Sequence, residues 1–302
     1  MPLVSMKSLM NDAQDNNYAV GYFEAWNLEA ILSVINAAER VSSPIIIGFS
    51  GMFLGNDARK VPENIYHYGA LGKAIAENAK VPCALLLNEA DKIGMLIQGL
   101  KAGFNAVMFQ DTKLPFEETV KITKYLSKTA HFVGADVEAE VGELPDSDVS
   151  TGSISQGENT DPEKAIWFAK ECEIDALAIA CGNVHLLEGG TKATLDFDLI
   201  KNLKEKMNIP LVLHGGTGIS DESLKHAIEL GISKVNVGTV MKRVYLNYIK
   251  DYIKAHNTDK IDPHDIIGRG GDMDMLVGAR EAVTEEVIRF LKVFGSVNKA
   301  CI

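Results

Sequence analysis

The chain has 302 residues, of which 46% are hydrophobic and 24% are charged. This composition is typical of an ordinary folded protein, and it excludes disordered, collagen-like and disulfide-stapled classes. The 30 Lys and Arg against 41 Asp and Glu give a net charge of -11, which disfavours binding to a nucleic acid or to an anionic membrane. An anionic substrate would therefore need a local positive site.

The cysteines and the first residues of the chain indicate the cellular compartment of the protein. Cys83, Cys172, Cys181 and Cys301 show no CxxC spacing, so we expect reduced thiols and neither a disulfide framework nor a zinc knuckle. Residues 1–15 have no signal-peptide pattern, and no apolar run reaches the roughly 18 to 20 residues of a membrane span. The sequence therefore predicts a cytoplasmic protein with no membrane segment.

Short apolar runs alternate with stretches of helical spacing along the whole chain. The eight predicted strands are residues 18–23, 44–50, 82–88, 106–111, 132–140, 176–183, 210–215 and 234–238. The predicted helices between and after them are residues 27–41, 64–79, 91–102, 116–128, 161–173, 196–207 and 221–230. Runs such as Ile45-Ile46-Ile47 are apolar on both faces, which favours parallel strands covered by helices.

Eight strand and helix units predict a (β/α)8 TIM barrel. We expect a single domain over residues 1–302 with a C-terminal helical extension, and a doubly wound open sheet is the alternative. The polar segment 141–159 reads as a long loop after the fifth strand, and long loops inside compact domains are usually functional.

Polar side chains stand at the carboxyl ends of the predicted strands, where the active site of such a barrel lies. They are Glu24, Ser50, Asn88, Glu89, Gln110, Asp111, Glu138, Glu140, Asn183, His185, His214 and Asn236. Either histidine alone is more simply a hydrogen-bonded core residue. On neighbouring strands, with Glu89 and Glu140 available, His185 and His214 instead indicate a site for a divalent metal with two imidazoles and a carboxylate.

A Gly-rich turn follows the seventh strand, and a second Gly-containing segment ends the eighth. Glycines allow consecutive backbone N–H groups to turn toward one point, and barrels commonly bind phosphate at these two loops. The predicted substrate and phosphate contacts are Ser50, Gly215, Gly216, Thr217, Asn236, Val237, Gly238 and Thr239. These loops explain how an acidic protein can hold an anion.

Several motifs resemble those of the class II (metal-dependent) fructose-bisphosphate and tagatose-bisphosphate aldolases, in the same order and over nearly the whole chain. They are YAVGYF at 18–23, LPFEE at 114–118, VEAEVG at 137–142, TDP at 160–162, GNVH at 182–185, LVLHGGTG at 211–218, KVNV at 234–237 and FGS at 294–296. The fold that this resemblance implies is the same barrel.

The resemblance implies a lyase that cleaves a phosphorylated ketose into dihydroxyacetone phosphate and an aldehyde. A divalent ion, usually zinc, polarises the ketone and stabilises the enediolate. By motif, His185 and His214 resemble two of the three metal ligands, and Glu140 resembles the acidic residue near the metal. The two Gly-containing loops resemble the dihydroxyacetone phosphate contacts, and the family favours a homodimer or homotetramer.

The third predicted strand departs from the family pattern. The family reads Leu-Asp-His, with Asp as proton donor and His as metal ligand, whereas this chain has Leu87-Asn88-Glu89. An amide cannot exchange a proton near neutral pH, so Asn88 cannot do that acid/base work. Glu24, Gln110 and Leu186 also replace the usual Asn, Asp and Gly. Because these changes cluster at strand ends, they suggest altered chemistry or an altered substrate.

Three functional hypotheses remain at this stage. The first is a divergent aldolase in which Glu89 replaces the missing metal ligand or supplies the missing acid/base function, with Asn88 and Glu140 as the other candidate catalytic residues. A carboxylate at the ion would shift metal preference from zinc toward manganese or magnesium. The second is a sugar-phosphate epimerase or isomerase, and the third is a non-catalytic sugar-phosphate-binding homologue. The alternative without a functional role is that Glu89 is a solvent-exposed residue at the start of the helix 91–102, stabilised there by the helix dipole.

Overall fold

A computed structural model of the chain describes residues 2–142, 144–145, 154–155, 157–184 and 193–300. Its strands are β1 (Val20–Ala25), β2 (Ile45–Ser50), β3 (Cys83–Ala90), β4 (Ala106–Phe109), β5 (Asp136–Val141), β6 (Ala176–Ile179), β7 (Leu211–Leu213) and β8 (Ile232–Val237). Neighbouring strands pair in parallel in sequence order, and β1 also pairs with β8. The sheet is therefore a closed barrel, which confirms the predicted (β/α)8 fold over an open sheet.

Helices surround this barrel. They are α1 (Met6–Asp15), α2 (Leu28–Arg40), α3 (Gly51–Leu54), α4 (Ile65–Asn78), α5 (Ile93–Ala102), α6 (Phe116–Phe132), α7 (Pro162–Cys172), α8 (Phe197–Lys206), α9 (Asp221–Glu229), α10 (Thr239–Ala255), α11 (Pro263–Ile266) and α12 (Met275–Val293). Within the described ranges, no helix is long and apolar enough to cross a membrane.

The structure departs from the sequence prediction at the start of the fifth strand and at the first helix. The fifth strand was predicted from residue 132, but α6 continues to Phe132, whose side chain is 91% exposed, and β5 begins only at Asp136. An apolar residue on the solvent face of a helix end was thus mistaken for the start of a strand. The helix α1 was not predicted at all. Part of the predicted loop 141–159 lies outside the described residues.

The barrel interior is apolar at its amino-terminal end, and α1 closes it there. Side chains alternate along each strand, so Ile46 packs inward while Ile45 and Ile47 pack against the helices. Met6 and Met10 of α1 are fully buried in the inner cluster. The Asp136 carboxylate accepts hydrogen bonds from Ser5 Oγ at 2.8 Å and from the Lys7 backbone N–H at 3.0 Å. These bonds hold the start of α1 against β5. The polar side chains of the barrel interior lie toward its carboxyl-terminal end.

Candidate active site

His214 is the centre of the polar end of the barrel. It follows β7 directly and is 1% exposed. Its Nδ1 lies 2.8 Å from Glu89 Oε1, and its Nε2 lies 3.0 Å from Glu138 Oε1. Asn183 Nδ2 donates a hydrogen bond to the His214 carbonyl at 3.1 Å. The imidazole ring is therefore held between two carboxylates on an anchored backbone.

Glu138 is itself part of a buried ion pair. Lys234 Nζ donates to Glu138 Oε2 at 2.7 Å and to Asn236 Oδ1 at 2.7 Å, and neither charged side chain is exposed to solvent. Asn236 Nδ2 lies 3.0 Å from His214 Nε2. Glu138, Lys234, Asn236 and His214 thus form one hydrogen-bonded network across β5, β7 and β8, which fixes the orientation of the imidazole.

Burial and charge act in opposite directions on the pKa values of this network. Burial raises the pKa of the Glu138 carboxyl, but Lys234 and His214 outweigh it and hold that pKa below its usual range. Burial lowers the pKa of the Lys234 ammonium. Burial also lowers the pKa of His214, but its hydrogen bonds with Glu138 and Glu89 raise it to about 10. Without a metal at Nδ1, the imidazole is therefore positively charged at neutral pH.

Glu89 reaches His214 because β3 is irregular at this point. In a regular strand, consecutive side chains point to opposite faces, so Asn88 and Glu89 should not share a site. The pairing register of β3 with β4 shifts between Leu87 and Ala90, and Glu89 has a φ of 50°, in the left-handed region. A non-glycine residue in this region is strained, and such strain concentrates at functional sites. The solvated alternative for Glu89 is wrong, since its side chain is only 14% exposed and bonds His214.

Glu89 and His214 line one cavity at the mouth of the barrel. Its lining comprises Tyr22, Glu24, Phe53, Asn88, Glu89, His214, Gly215, Thr217, Asn236, Val237, Gly238, Thr239 and Lys242. One wall carries the side chains Tyr22, Glu24, Asn88 and Glu89, and we call it the carboxylate wall. The loops after β7 and β8 line the cavity beside it, with Gly238 next to the Glu24 side chain, and we call this part of the lining the amide wall.

The amide wall has the geometry of an anion site. Gly215 has a φ of 70°, which a side chain would disfavour, and the turn after it is a short 3-10 helix over Gly216–Gly218. The backbone N–H of Val240 donates to Thr217 Oγ at 3.3 Å, which joins the two loops. Gly238 and Thr239 begin the 17-residue helix α10, whose N-terminal N–H groups favour negative charge.

The structure does not bring every predicted site residue into this cavity. Ser50 lies in an adjoining pocket, where its Oγ accepts from the Phe53 N–H at the start of α3. Gly216 is buried against the backbone of β8, where its lack of a side chain permits close packing. Glu140 lies in a different pocket and accepts a hydrogen bond from Gln110 Nε2. His185 and Leu186 lie outside the described residues.

Comparison with known proteins assigns the chain to a family. A family model described as fructose-bisphosphate aldolase class-II matches residues 4–299. The chain belongs to the class II fructose-bisphosphate aldolase family. The predicted resemblance is confirmed, and with it the prediction of an aldolase-type lyase at the level of the family.

Individual relatives agree with this assignment. The chain is 35% identical over 308 residues to a probable fructose-bisphosphate aldolase of Bacillus subtilis, covering 99% of this chain and 100% of the relative. It is 31% identical over 298 residues to a protein of Escherichia coli named uncharacterized protein YdjI, covering 99% of each. A crystal structure titled YdjI aldolase from Escherichia coli superposes with a TM-score of 0.81 at 30% identity, covering 99% of this chain and 100% of that one.

Four further residues belong to this site: Glu138, which the sequence places among the polar strand ends without a role, and Lys234, Tyr22 and Lys242, which the sequence does not single out. Glu138 and Lys234 form the buried pair behind His214, and Tyr22 and Lys242 line the cavity. A signal for the first two was present, because Glu138 and Glu140, like Lys234 and Asn236, are two residues apart and therefore share a strand face. Lys242 had no such signal, since it comes from the first turn of α10.

Lys242 pairs with Glu24 where the cavity meets the adjoining pocket. Its Nζ donates to Glu24 Oε1 and lies 4.2 Å from the centre of the Phe53 ring. Glu24, Phe53 and Lys242 line both the cavity and the pocket, which has a volume of about 430 Å³. The Glu24 carboxylate thus lies beside the Lys242 ammonium and compensates its charge.

The donor set near His214 suits the divalent ion that the aldolase family implies. Among the described residues, no group of three or more His, Cys, Asp or Glu is positioned to hold a metal ion. His214 Nδ1 and Glu89 Oε1 are nevertheless adjacent and face the cavity, while Glu138 holds the other ring nitrogen. A histidine that ligates a metal usually has its second nitrogen bonded to a carboxylate in this way. Two donors of a metal site therefore fit, and the predicted third, His185, lies outside the described residues.

Proposed function

We propose that the chain is a divalent-metal-dependent lyase that cleaves a phosphorylated ketose into dihydroxyacetone phosphate and an aldehyde. One observation carries this proposal: His214 Nδ1 and Glu89 Oε1 lie 2.8 Å apart in a cavity whose other wall is the amide wall. Metal donors and an anion site in one cavity suit a substrate that has both a phosphate and a ketone. Family membership supports the same reaction class.

The amide wall is the proposed binding site for the substrate phosphate. Gly215, Thr217, Gly238 and Thr239 line this part of the cavity, and the N-terminus of α10 adds favourable potential for an anion. The carboxylate wall would repel a phosphate. The ligand is therefore oriented with its phosphate toward β7 and β8 and its carbon chain toward β1 and β3.

His214 and Glu89 are the proposed metal ligands in the described part of the chain, with His185 expected as a third. A divalent ion bound there would polarise the ketone and stabilise the enediolate. The family usually uses zinc, but Glu89 replaces an imidazole by a carboxylate. Hard oxygen donors favour manganese or magnesium, so we expect these ions to support activity at least as well as zinc.

Cleavage requires a group that accepts the proton of the C4 hydroxyl while the C3–C4 bond breaks and its electron pair passes to C3. Asn88 lines the cavity but has no ionisable group. Burial, together with Glu89 and Glu138, raises the pKa of the Glu140 carboxyl to about 7, although His214 opposes this rise. Glu140 Oε1 is buried with no hydrogen-bond partner in the described part of the chain. Because Glu140 lines a separate pocket, this role requires the C4 end of the substrate to extend toward β5. On that basis we assign the proton carrier to Glu140, and metal binding to Glu89.

A sugar-phosphate epimerase or isomerase is the second candidate, and the Asn88 amide favours it. That reaction forms an enediolate by moving a carbon-bound proton and breaks no carbon–carbon bond. It therefore still needs a proton carrier, but not one at Asn88 that accepts the proton of the C4 hydroxyl. Nuclear magnetic resonance of the products separates the two candidates. An aldehyde and dihydroxyacetone phosphate support the lyase, whereas a second ketose or aldose phosphate of equal mass supports the isomerase.

Metal analysis of wild-type protein and three variants tests the assigned roles. We expect wild-type protein loaded with manganese to retain about one ion per chain, and Glu89→Gln to lose it because an amide is a weaker donor. The matched variant Glu140→Gln should keep the metal and lose turnover. Loss of turnover with full metal retention in Glu89→Gln would reverse the two assignments, and sub-stoichiometric metal in wild-type protein and in His214→Ala would overturn the metal site.

Asn88→Asp tests whether the site still has aldolase geometry. General acid/base catalysis typically contributes about 10²- to 10⁴-fold, so the restored carboxyl should raise cleavage of fructose 1,6-bisphosphate within that range. Wild-type protein should cleave this substrate weakly or not at all. Wild-type turnover equal to that of an ordinary class II enzyme would contradict the proposal.

The remaining predictions concern partners and compartment. We expect a small-molecule sugar phosphate as the only substrate partner, no nucleic-acid or membrane partner, a cytoplasmic location and a homodimer or homotetramer. Light scattering of the purified protein measures the oligomeric state directly.

A further inference from the structure

Two polar atoms in the carboxylate wall are buried without a hydrogen-bond partner among the described residues. They are the hydroxyl of Tyr22 on β1 and the side-chain oxygen of Asn88 on β3. The two residues are 1% and 2% exposed, and both line the cavity. The Tyr22 ring is held in place, since the Lys234 ammonium lies 4.9 Å from its centre.

Buried polar atoms without a hydrogen-bond partner destabilise a folded protein unless a ligand pairs with them. An unsatisfied buried donor or acceptor costs about 1 to 3 kcal/mol, and buried polar atoms in native proteins are nearly always paired. The next interior positions on the same strands are Val20 and Leu86, which are apolar and fully buried. Phe and Leu would therefore suit positions 22 and 88 if packing alone mattered.

We propose that Tyr22 and Asn88 form a subsite that recognises hydroxyl groups of the substrate, with the phenol donating and the carboxamide oxygen accepting. This inference rests on the proposed function. It adds that the protein recognises the hydroxyl groups of the ketose at this wall. It makes Tyr22 a specificity-determining residue that the predicted site did not contain.

A hydroxyl is the group that matches this pair, because it accepts and donates hydrogen bonds with one oxygen. The dianion of a phosphate ester and a carboxylate offer no donor for the Asn88 oxygen, and a ketone offers none either. Burial raises the pKa of the Tyr22 hydroxyl, and the charges of Glu24, Glu89 and Glu138 raise it further. The phenol therefore remains neutral and donates. The same carboxylates repel anions, so the polyol part of the ketose belongs at this wall.

Removal of single hydroxyl groups tests the subsite. The test variant is Tyr22→Phe, and the matched control is Tyr18→Phe, since Tyr18 is equally buried but its hydroxyl donates to Asp12 Oδ2 at 2.6 Å away from the cavity. The probes are fructose 1-phosphate, which has a phosphate and several hydroxyls, and inorganic phosphate, which has no carbon chain. Calorimetry measures both affinities, and thermal unfolding measures stability.

For Tyr22→Phe we expect an affinity for fructose 1-phosphate about 5- to 30-fold weaker and an unchanged affinity for inorganic phosphate. The variant should unfold at the wild-type temperature or above it, because the lost hydroxyl had no partner. Tyr18→Phe should bind both probes normally and unfold about 2 to 4 °C lower, because a paired hydroxyl is lost.

Three results would overturn the subsite. They are equal binding of fructose 1-phosphate by Tyr22→Phe and wild type, wild-type binding of fructose 1-phosphate no tighter than that of inorganic phosphate, and a fall in unfolding temperature for Tyr22→Phe matching that of Tyr18→Phe. The two affinity results apply when wild-type protein binds at least one probe. Failure to bind either probe would refute the phosphate site of the proposed function, and the thermal comparison alone would then test the subsite.

Discussion

The two ends of the barrel interior are formed by the same eight strands and have opposite chemistry. At the amino-terminal end, α1 covers a cluster of fully buried apolar side chains such as Ile46, Leu86 and Met10. At the carboxyl-terminal end, the inward positions hold Glu138, His214 and Lys234, which are equally buried but charged. Burial of charge is unfavourable unless each group is paired, whereas burial of apolar surface is favourable without any partner.

This difference separates stability from function within one fold. Apolar packing at the α1 end can be perturbed without touching the cavity, while each polar group at the other end depends on its neighbours. The left-handed backbone of Glu89 and the unpartnered oxygens of Tyr22 and Asn88 lie on the cavity side of this comparison. We therefore expect variants at the two ends to affect different measurements.

The largest effect is expected for Lys234→Met, which leaves Glu138 buried beside a single remaining partner. Breaking a buried ion pair typically costs about 3 to 5 kcal/mol in free energy of unfolding, and we expect a loss in that range. Urea unfolding measures it. The matched control is Lys242→Met, whose lysine is 39% exposed. Equal losses in the two variants would show that burial of the Lys234 pair has no special importance.

Leu86→Ala should cause the next largest loss in free energy of unfolding and should leave the affinity for inorganic phosphate unchanged. Truncation of a buried leucine costs about 2 to 5 kcal/mol, because a cavity remains in the packed interior. Calorimetry with inorganic phosphate should find wild-type affinity in the folded variant. A loss of phosphate affinity at temperatures where Leu86→Ala is still folded would mean that the two ends of the barrel are coupled.

Glu140→Gln should change how stability depends on pH. The pKa of Glu140 is raised from 4.5 to about 7 in the folded protein, so the folded state binds more protons than the unfolded state between these values. Its stabilising contribution is present below pH 4.5 and is lost as pH rises through 7. We expect Glu140→Gln to exceed wild type in free energy of unfolding at pH 8 by about 1 to 3 kcal/mol, and by much less at pH 5.

Urea unfolding at the two pH values isolates this contribution. Glu117→Gln on α6 serves as the control, since its side chain is exposed and should respond weakly at both pH values. An advantage of Glu140→Gln that is the same at pH 5 and pH 8 would contradict a raised pKa at this position.

The smallest effect is expected for Glu24→Gln. Because Lys242 is partly exposed, loss of the pair should change the free energy of unfolding by less than about 1 kcal/mol. Removal of one negative charge beside the adjoining pocket should strengthen binding of a ketose bisphosphate by about fivefold relative to a monophosphate. Asp57→Asn is the control, because Asp57 pairs with Lys92 and is 92% exposed. An unchanged ratio of the affinities for bisphosphate and monophosphate would show that Glu24 has no influence on which ligand charge is preferred.

The fold and much of the site could be predicted from the sequence. Eight apolar runs with helices between them predict the barrel, because strand and helix periodicities are local properties of the chain. Motifs around His214, Gly215 and Asn236 predict the amide wall and one metal ligand. Asn88 and Glu89 stand at the third strand end, where the departure from the family pattern is visible in the residues themselves.

Only the tertiary structure decided which polar groups meet. The turn of Glu89 into the cavity follows from a shift in β3 pairing that no local pattern encodes. The Lys234 and Glu138 pair joins residues 96 positions apart, and the closure of the barrel by α1 joins the first helix to strands far along the chain. Ser50, Gly216 and Glu140 lie at the expected strand ends but face other surroundings, because side-chain direction depends on local twist and on neighbouring loops. Sequence periodicity determines which face of a strand is polar, and the three-dimensional packing determines what each polar group contacts.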